Sequence, residues 1–108
     1  MDETADEFLK FRDIIAQLRN PKGGCPWDIE QTHESLKQYL LEECYEVIEA
    51  IDVDKGKLEE ELGDLLLQIF LHSQIASESG SFDIGKVIKG ISTKIVARHP
   101  HVFGDATA

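Results

Sequence analysis

Five carboxylates crowd two short motifs of this chain. Glu42-Glu43-Cys44-Tyr45-Glu46 comes first and Glu61-Leu62-Gly63-Asp64 follows, with Asp52-Val53-Asp54-Lys55-Gly56 between them as a turn. Glu46 and Glu61 stand equally far from the middle of that turn, and so do Glu43 and Asp64. At about 1.5 Å rise per residue, the first pair lies roughly 8–10 Å from the turn and the second roughly 12–15 Å. If two helices fold back on each other there, four carboxylates converge from opposite sides.

The bland alternative is a solvated acidic face, the usual fate of charged residues. Three features argue against it. Glu42 and Glu46 are like charges four apart on one helix, as are Glu60 and Asp64, and each such pair costs about 0.2–0.5 kcal/mol. No lysine or arginine interrupts the stretch between Lys37 and Lys55. Asp64 directly precedes the most apolar run of the chain, Leu65 to Leu71, and carboxylates near a core are costly unless paired or bound to metal. A divalent cation resolves all three. Oxygen-only donors favour a hard ion, Mg2+ or Mn2+, over zinc. A di-iron bundle needs Glu-x-x-His pairs, and neither acidic helix carries one.

The elements that must position these groups follow from composition and period. At 108 residues the chain reads as a single domain, 1–108, able to bury roughly two-thirds of its surface. It has no apolar run near the ~20 residues needed to cross a bilayer. The start, MDETADEF, lacks the basic and apolar regions of a signal peptide. Cys25 and Cys44 form no C-x-x-C pair and read as reduced thiols of a cytoplasmic protein. The net charge of −10 argues against a nucleic-acid polymer, whose binding rests on cationic contacts to phosphate. A single nucleotide remains open, provided cations bridge the two negative surfaces.

A first helix is predicted over 4–19, with Thr4 and Glu7 spaced as a capping box and Phe8, Phe11, Ile15 and Leu18 at helical period. Asn20-Pro21-Lys22-Gly23-Gly24 ends it, and the loop extends through Cys25-Pro26-Trp27-Asp28. A second helix starts near Thr32 or Ser35 and reaches about Ile51, with Leu36, Leu40, Cys44, Val47 and Ile51 as its apolar stripe. The third runs from about Lys57 to Ser79. Its middle is apolar nearly all round and must be surrounded, which implies cover from a second subunit. Asp83 caps a fourth, whose stripe is Ile84, Ile88, Ile91 and Ile95 and which ends before Pro100. The expected fold class is all-α, a four-helix bundle assembling as a dimer or higher oligomer.

Other residues carry two readings each. His99 and His101 suit a helix-ending turn better than a metal pair. Lys94 and Arg98, four apart, form a solvated face or, with an anionic ligand in view, a phosphate contact. Trp27 is either ordinary core or a surface on which a base stacks.

Together these segments resemble the MazG family of nucleoside triphosphate pyrophosphohydrolases, within the all-α group that includes the dimeric dUTPases. The resemblance rests on Cys25-Pro26-Trp27-Asp28, Gln31-Thr32, Tyr39-Leu40-Leu41-Glu42-Glu43, Glu61-Leu62-Gly63-Asp64 and Arg98-His99-Pro100-His101-Val102-Phe103-Gly104-Asp105, and it spans about residues 5 to 105. It implies Mg2+ bound by Glu43, Glu46, Glu61 and Asp64, with Glu42 beside the ion to orient or deprotonate water. It implies phosphate contacts from Lys94 and Arg98, and from Lys57 one turn before Glu61. The reaction implied is hydrolysis of (d)NTPs to (d)NMP and pyrophosphate, by a homo-oligomer of at least two subunits that acts in nucleotide-pool housecleaning or regulation. Many members carry two such domains in tandem, so this chain corresponds to a single-domain member or an N-terminal half. The competing class is a catalytically weak nucleotide-sensing or protein-binding helical module.

Overall fold

A computed structural model of the chain describes residues 2–104; Asp105, the last residue of the resemblance, lies outside them. The order is α1 (Glu3–Leu18), α2 (Pro26–Glu30), α3 (His33–Val53), a 3-10 turn (Lys55–Lys57), α4 (Leu58–Glu78), α5 (Ile84–Arg98) and α6 (Pro100–Phe103). Among the described residues there is no strand, so the all-α expectation holds, with its four long helices. Among the described residues no helix is long and apolar enough to cross a membrane.

The caps explain most boundaries. Thr32 closes a capping box with Ser35, each side chain meeting the other's backbone N–H. Asp83 caps α5 by accepting from the Lys86 N–H at 2.9 Å. At α1 the cap is Asp2, whose carboxylate accepts from the Thr4 N–H at 2.9 Å. The Thr4–Glu7 capping box is therefore corrected: Thr4 already lies inside the helix. The loop after α1 is corrected too. Pro26 to Glu30 form a short helix, because proline at the first helical position loses no hydrogen bond. Gly24 lets this segment double back: a Cβ there would collide with the Leu18 and Asn20 carbonyls.

α3 and α4 form the hairpin that organises the molecule. Asp54 breaks α3 and accepts from the Gly56 N–H at 3.0 Å, which shapes the turn. The core gathers where α1 and α5 meet this hairpin: Ile15, Leu36, Phe70, Leu71 and Ile84 are buried together. Phe70 sits between Phe8 and Phe11, at ring-centroid distances of 5.3 and 4.8 Å. Each such apolar side chain contributes about 1.5–3 kcal/mol when fully buried.

Two expected stripes come out differently. On α3 the inward residue near the turn is Ala50, while Ile51 is 45% exposed. On α5 only Ile84 is buried, and Ile88, Ile91 and Ile95 remain 40–48% exposed. Within one chain the apolar run of α4 is covered on one side only: Phe70 and Leu71 are inside, and Leu66 and Ile69 face outward.

Candidate functional site

One turn of α3 and the first two turns of α4 bring Glu43, Glu61 and Asp64 together. Each offers an oxygen, and the three oxygens lie within 4.8 Å of one another. Among the described residues the ion pairs are Lys10–Glu7, Arg12–Asp13 and Arg19–Glu78. None of them neutralises this group. Desolvation is the first cause that raises the Glu43 carboxyl above its usual range, followed by the charges of Asp64, Glu46 and Glu42. Glu61 is raised as well, by desolvation and then by Asp64, Glu46, Glu60 and Glu43.

These features fit a hard divalent ion. The donors are all carboxylate oxygens, and opposite ligands of such an ion, bound at 2.1–2.4 Å, stand about 4–5 Å apart. Repulsion that is unrelieved among the protein's own groups is what a cation would remove.

The remaining expected residues are arranged around this trio. Glu46 lies one turn along α3 from Glu43; it is exposed and outside the closest group, though its charge is felt at Glu43 and Glu61. Glu42 is exposed and accepts from the Gln38 side-chain amide at 3.2 Å. Lys57 occupies the position just before α4. Lys94 and Arg98 lie exposed on α5 and make no ion pair with the carboxylates among the described residues. His99 caps the end of α5, where its Nδ1 donates to the Ile95 carbonyl at 2.7 Å. Glu30 and His33 do form a Glu-x-x-His, but α2 ends at the glutamate and α3 begins at the histidine, so they are not a ligand pair on one helix.

Trp27 is half-exposed rather than core, and its ring meets Tyr39 edge to face at 5.6 Å and 84°. Tyr39 precedes Glu43 by four residues on α3, which places the two on the same helical face. The aromatic pair therefore borders the carboxylates.

Two features had no legible signal in the sequence. Arg19 is buried against Glu78. Farther along the hairpin, the rings of His33 and His72 are parallel within 2°, with centroids 5.0 Å apart and Nδ1 atoms 2.8 Å apart. One of these nitrogens must carry a proton and the other must not. The His72 Nε2 and the Gln68 Oε1, four residues apart on α4, are buried without a hydrogen-bond partner among the described residues. Burial first, and then the His33 ring, pushes the His72 pKa down; Glu34 opposes them.

A carboxylate trio held by an antiparallel helical hairpin, bordered by an aromatic pair, makes a candidate metal site in an all-α domain. Residues 31–103 match the family model of the MazG nucleotide pyrophosphohydrolase domain. The chain belongs to that family. It is 62% identical over 100 residues to the uncharacterized protein YabN of Bacillus subtilis, covering 92% of this chain and 20% of that protein. It is 53% identical over 107 residues to the nucleoside triphosphate pyrophosphohydrolase/pyrophosphatase MazG of Thermotoga maritima, covering 98% and 42%. Against the nucleoside triphosphate pyrophosphohydrolase of Escherichia coli K12 it is 49% identical over 96 residues, covering 88% and 36%. The chain thus spans between a fifth and about two-fifths of the length of these relatives.

Proposed function

We propose that this domain hydrolyses nucleoside triphosphates to nucleoside monophosphate and pyrophosphate, with Mg2+ or Mn2+ held by Glu43, Glu61 and Asp64 and, at the rim, Glu46. The observation that carries the reading is the convergence of three carboxylate oxygens within 4.8 Å with no cationic partner among the described residues. The names of the Thermotoga maritima and Escherichia coli relatives support it.

Water attacks the α-phosphorus, the bond from that phosphorus to the α–β bridging oxygen breaks, and pyrophosphate leaves with the bond's electron pair. A bound divalent ion supplies charge neutralisation and Lewis acidity toward the phosphate oxygens. Glu42, exposed beside the trio and holding only a long hydrogen bond from Gln38, accepts the proton of the water. Lys57, Lys94 and Arg98 neutralise charge on the departing pyrophosphate. Trp27 and Tyr39 flank the base. Alignment matters as much as charge in this chemistry.

Lys94 and Arg98 stand on a helix whose apolar face is uncovered in the single chain. A second copy packed on α4 and α5 would cover that face and bring basic side chains to the carboxylates. The functional unit is accordingly a homo-oligomer, at least a dimer, acting in the cytoplasm on the nucleotide pool. Sedimentation should find no stable monomer; a well-folded monomer would sink this part of the reading.

The test is incubation of a panel of NTPs and dNTPs with and without Mg2+, followed by chromatography of the products. Equal amounts of monophosphate and pyrophosphate, formed only with the metal, are expected. Release of diphosphate and single phosphate, or no turnover, would refute the proposal.

A further inference from the structure

Arg19 spends four of its five side-chain N–H donors inside the protein. Its side chain is 7% exposed. Nε and Nη2 donate to the two carboxylate oxygens of Glu78, each at 3.0 Å. Nη1 donates to the Gln31 carbonyl at 3.1 Å and to the Asp28 carbonyl. Burial alone would raise the Glu78 carboxyl, but hydrogen bonds from Arg19 and Gln74, together with the Arg19 charge, hold it below the usual range.

Three separate elements meet at this guanidinium. Arg19 caps the end of α1, Glu78 is the last residue of α4, and the two carbonyls terminate α2. That helix has five residues and no side-chain cap at its N-terminus, and its length is far below that at which a helix holds itself in water. Its position is therefore set from outside, and Arg19 sets one end of it. The other face of α2 carries Trp27, edge-on against Tyr39.

We infer that Arg19, locked by Glu78, is a positioning residue for nucleotide: it fixes α2 so that Trp27 stands against Tyr39 at the border of the carboxylate site. The inference rests on the function proposed above. A buried ion pair is a weak source of net stability, since desolvation offsets its attraction and apolar replacements are often as stable. What it supplies here is direction. Only a planar guanidinium reaches a bidentate carboxylate on one edge and two carbonyls on the other; a lysine ammonium cannot.

Two variants test this. R19K keeps the charge, and R19M/E78L replaces the pair by apolar groups so that no buried charge is left alone. Trp27 is the only tryptophan, so its fluorescence reports α2 directly. In both variants, acrylamide quenching of Trp27 should rise about twofold. The Kd for α,β-methylene-ATP with Mg2+ should rise about tenfold, with kcat for ATP within twofold of wild type and the Mg2+-induced rise in Tm without nucleotide unchanged. Wild-type values for either quenching or Kd in both variants would overturn the inference, as would a fall in kcat as large as the loss of affinity. An inactive wild-type enzyme would instead overturn the proposed reaction, and the quenching and analogue-binding measurements would still decide the role of Arg19.

Discussion

Replacing Asp64 by Asn should make the metal-free protein more stable and the metal-loaded protein less so. Asp64 is the largest charge felt by both Glu43 and Glu61. Two unit charges at 4.8 Å, the limit for Glu43 and Asp64, repel by about 0.9 kcal/mol in water, and physiological salt about halves that. Relief of this one pair is worth about 0.5–1 kcal/mol, or a rise in Tm of about 2–8 °C for a domain of this size. With Mg2+ at a hundred times its Kd, the wild type gains about 2.7 kcal/mol by mass action and moves up by about 10 °C or more. The variant should gain little, so the order of the two melting temperatures reverses between EDTA and Mg2+. The assay is thermal unfolding followed by circular dichroism, at one protein concentration. In the same samples D64N should release no pyrophosphate while its helical signal persists. A variant that melts below wild type in EDTA, or that responds equally to Mg2+, would refute the assignment of these carboxylates to a metal site.

Three further outcomes are expected. His72 has a pKa below its ordinary 6.5, so as pH falls through that value the unfolded chain takes up a proton that the folded one resists. Its contribution to stability is therefore present above about pH 6.5 and is lost below, at no more than about 1.4 kcal/mol per pH unit; the double variant H33F/H72F should flatten the dependence of Tm on pH between 7 and 5.5. Leu36 is fully buried, and Leu36→Ala should cost about 2–5 kcal/mol in urea unfolding, with the denaturant dependence m unchanged. Glu42→Gln should lower kcat for NTP hydrolysis by about a hundredfold or more and leave the Mg2+-induced rise in Tm intact, because Glu42 stands outside the carboxylate trio.

Much of the fold was legible because its causes are local. Helical period, the Thr32 and Asp83 caps and the proline ending α5 each act within a turn or two of chain, and each produced the expected element. The spacing of the two acidic motifs about their turn suited a hairpin, and α3 and α4 form one. Sequence placed four carboxylates at matching heights, but height is only one coordinate. The rotation of α3 and α4 about their own axes decided that Glu43, Glu61 and Asp64 meet most closely and that Glu46 lies farther out. The short α2 was missed because its support, Arg19 joined to Glu78, links residues 59 apart. The His33–His72 pair, 39 apart, escaped for the same reason.

What the sequence determined alone, then, was the four long helices and the concentration of hard oxygen donors in two short motifs, since both depend on residue types read at short range. Tertiary structure decided which donors share a volume small enough for one ion, which side chains fix the aromatic border, and which apolar faces the chain leaves uncovered. Those depend on packing angles between distant segments, and no window of neighbouring residues encodes an angle.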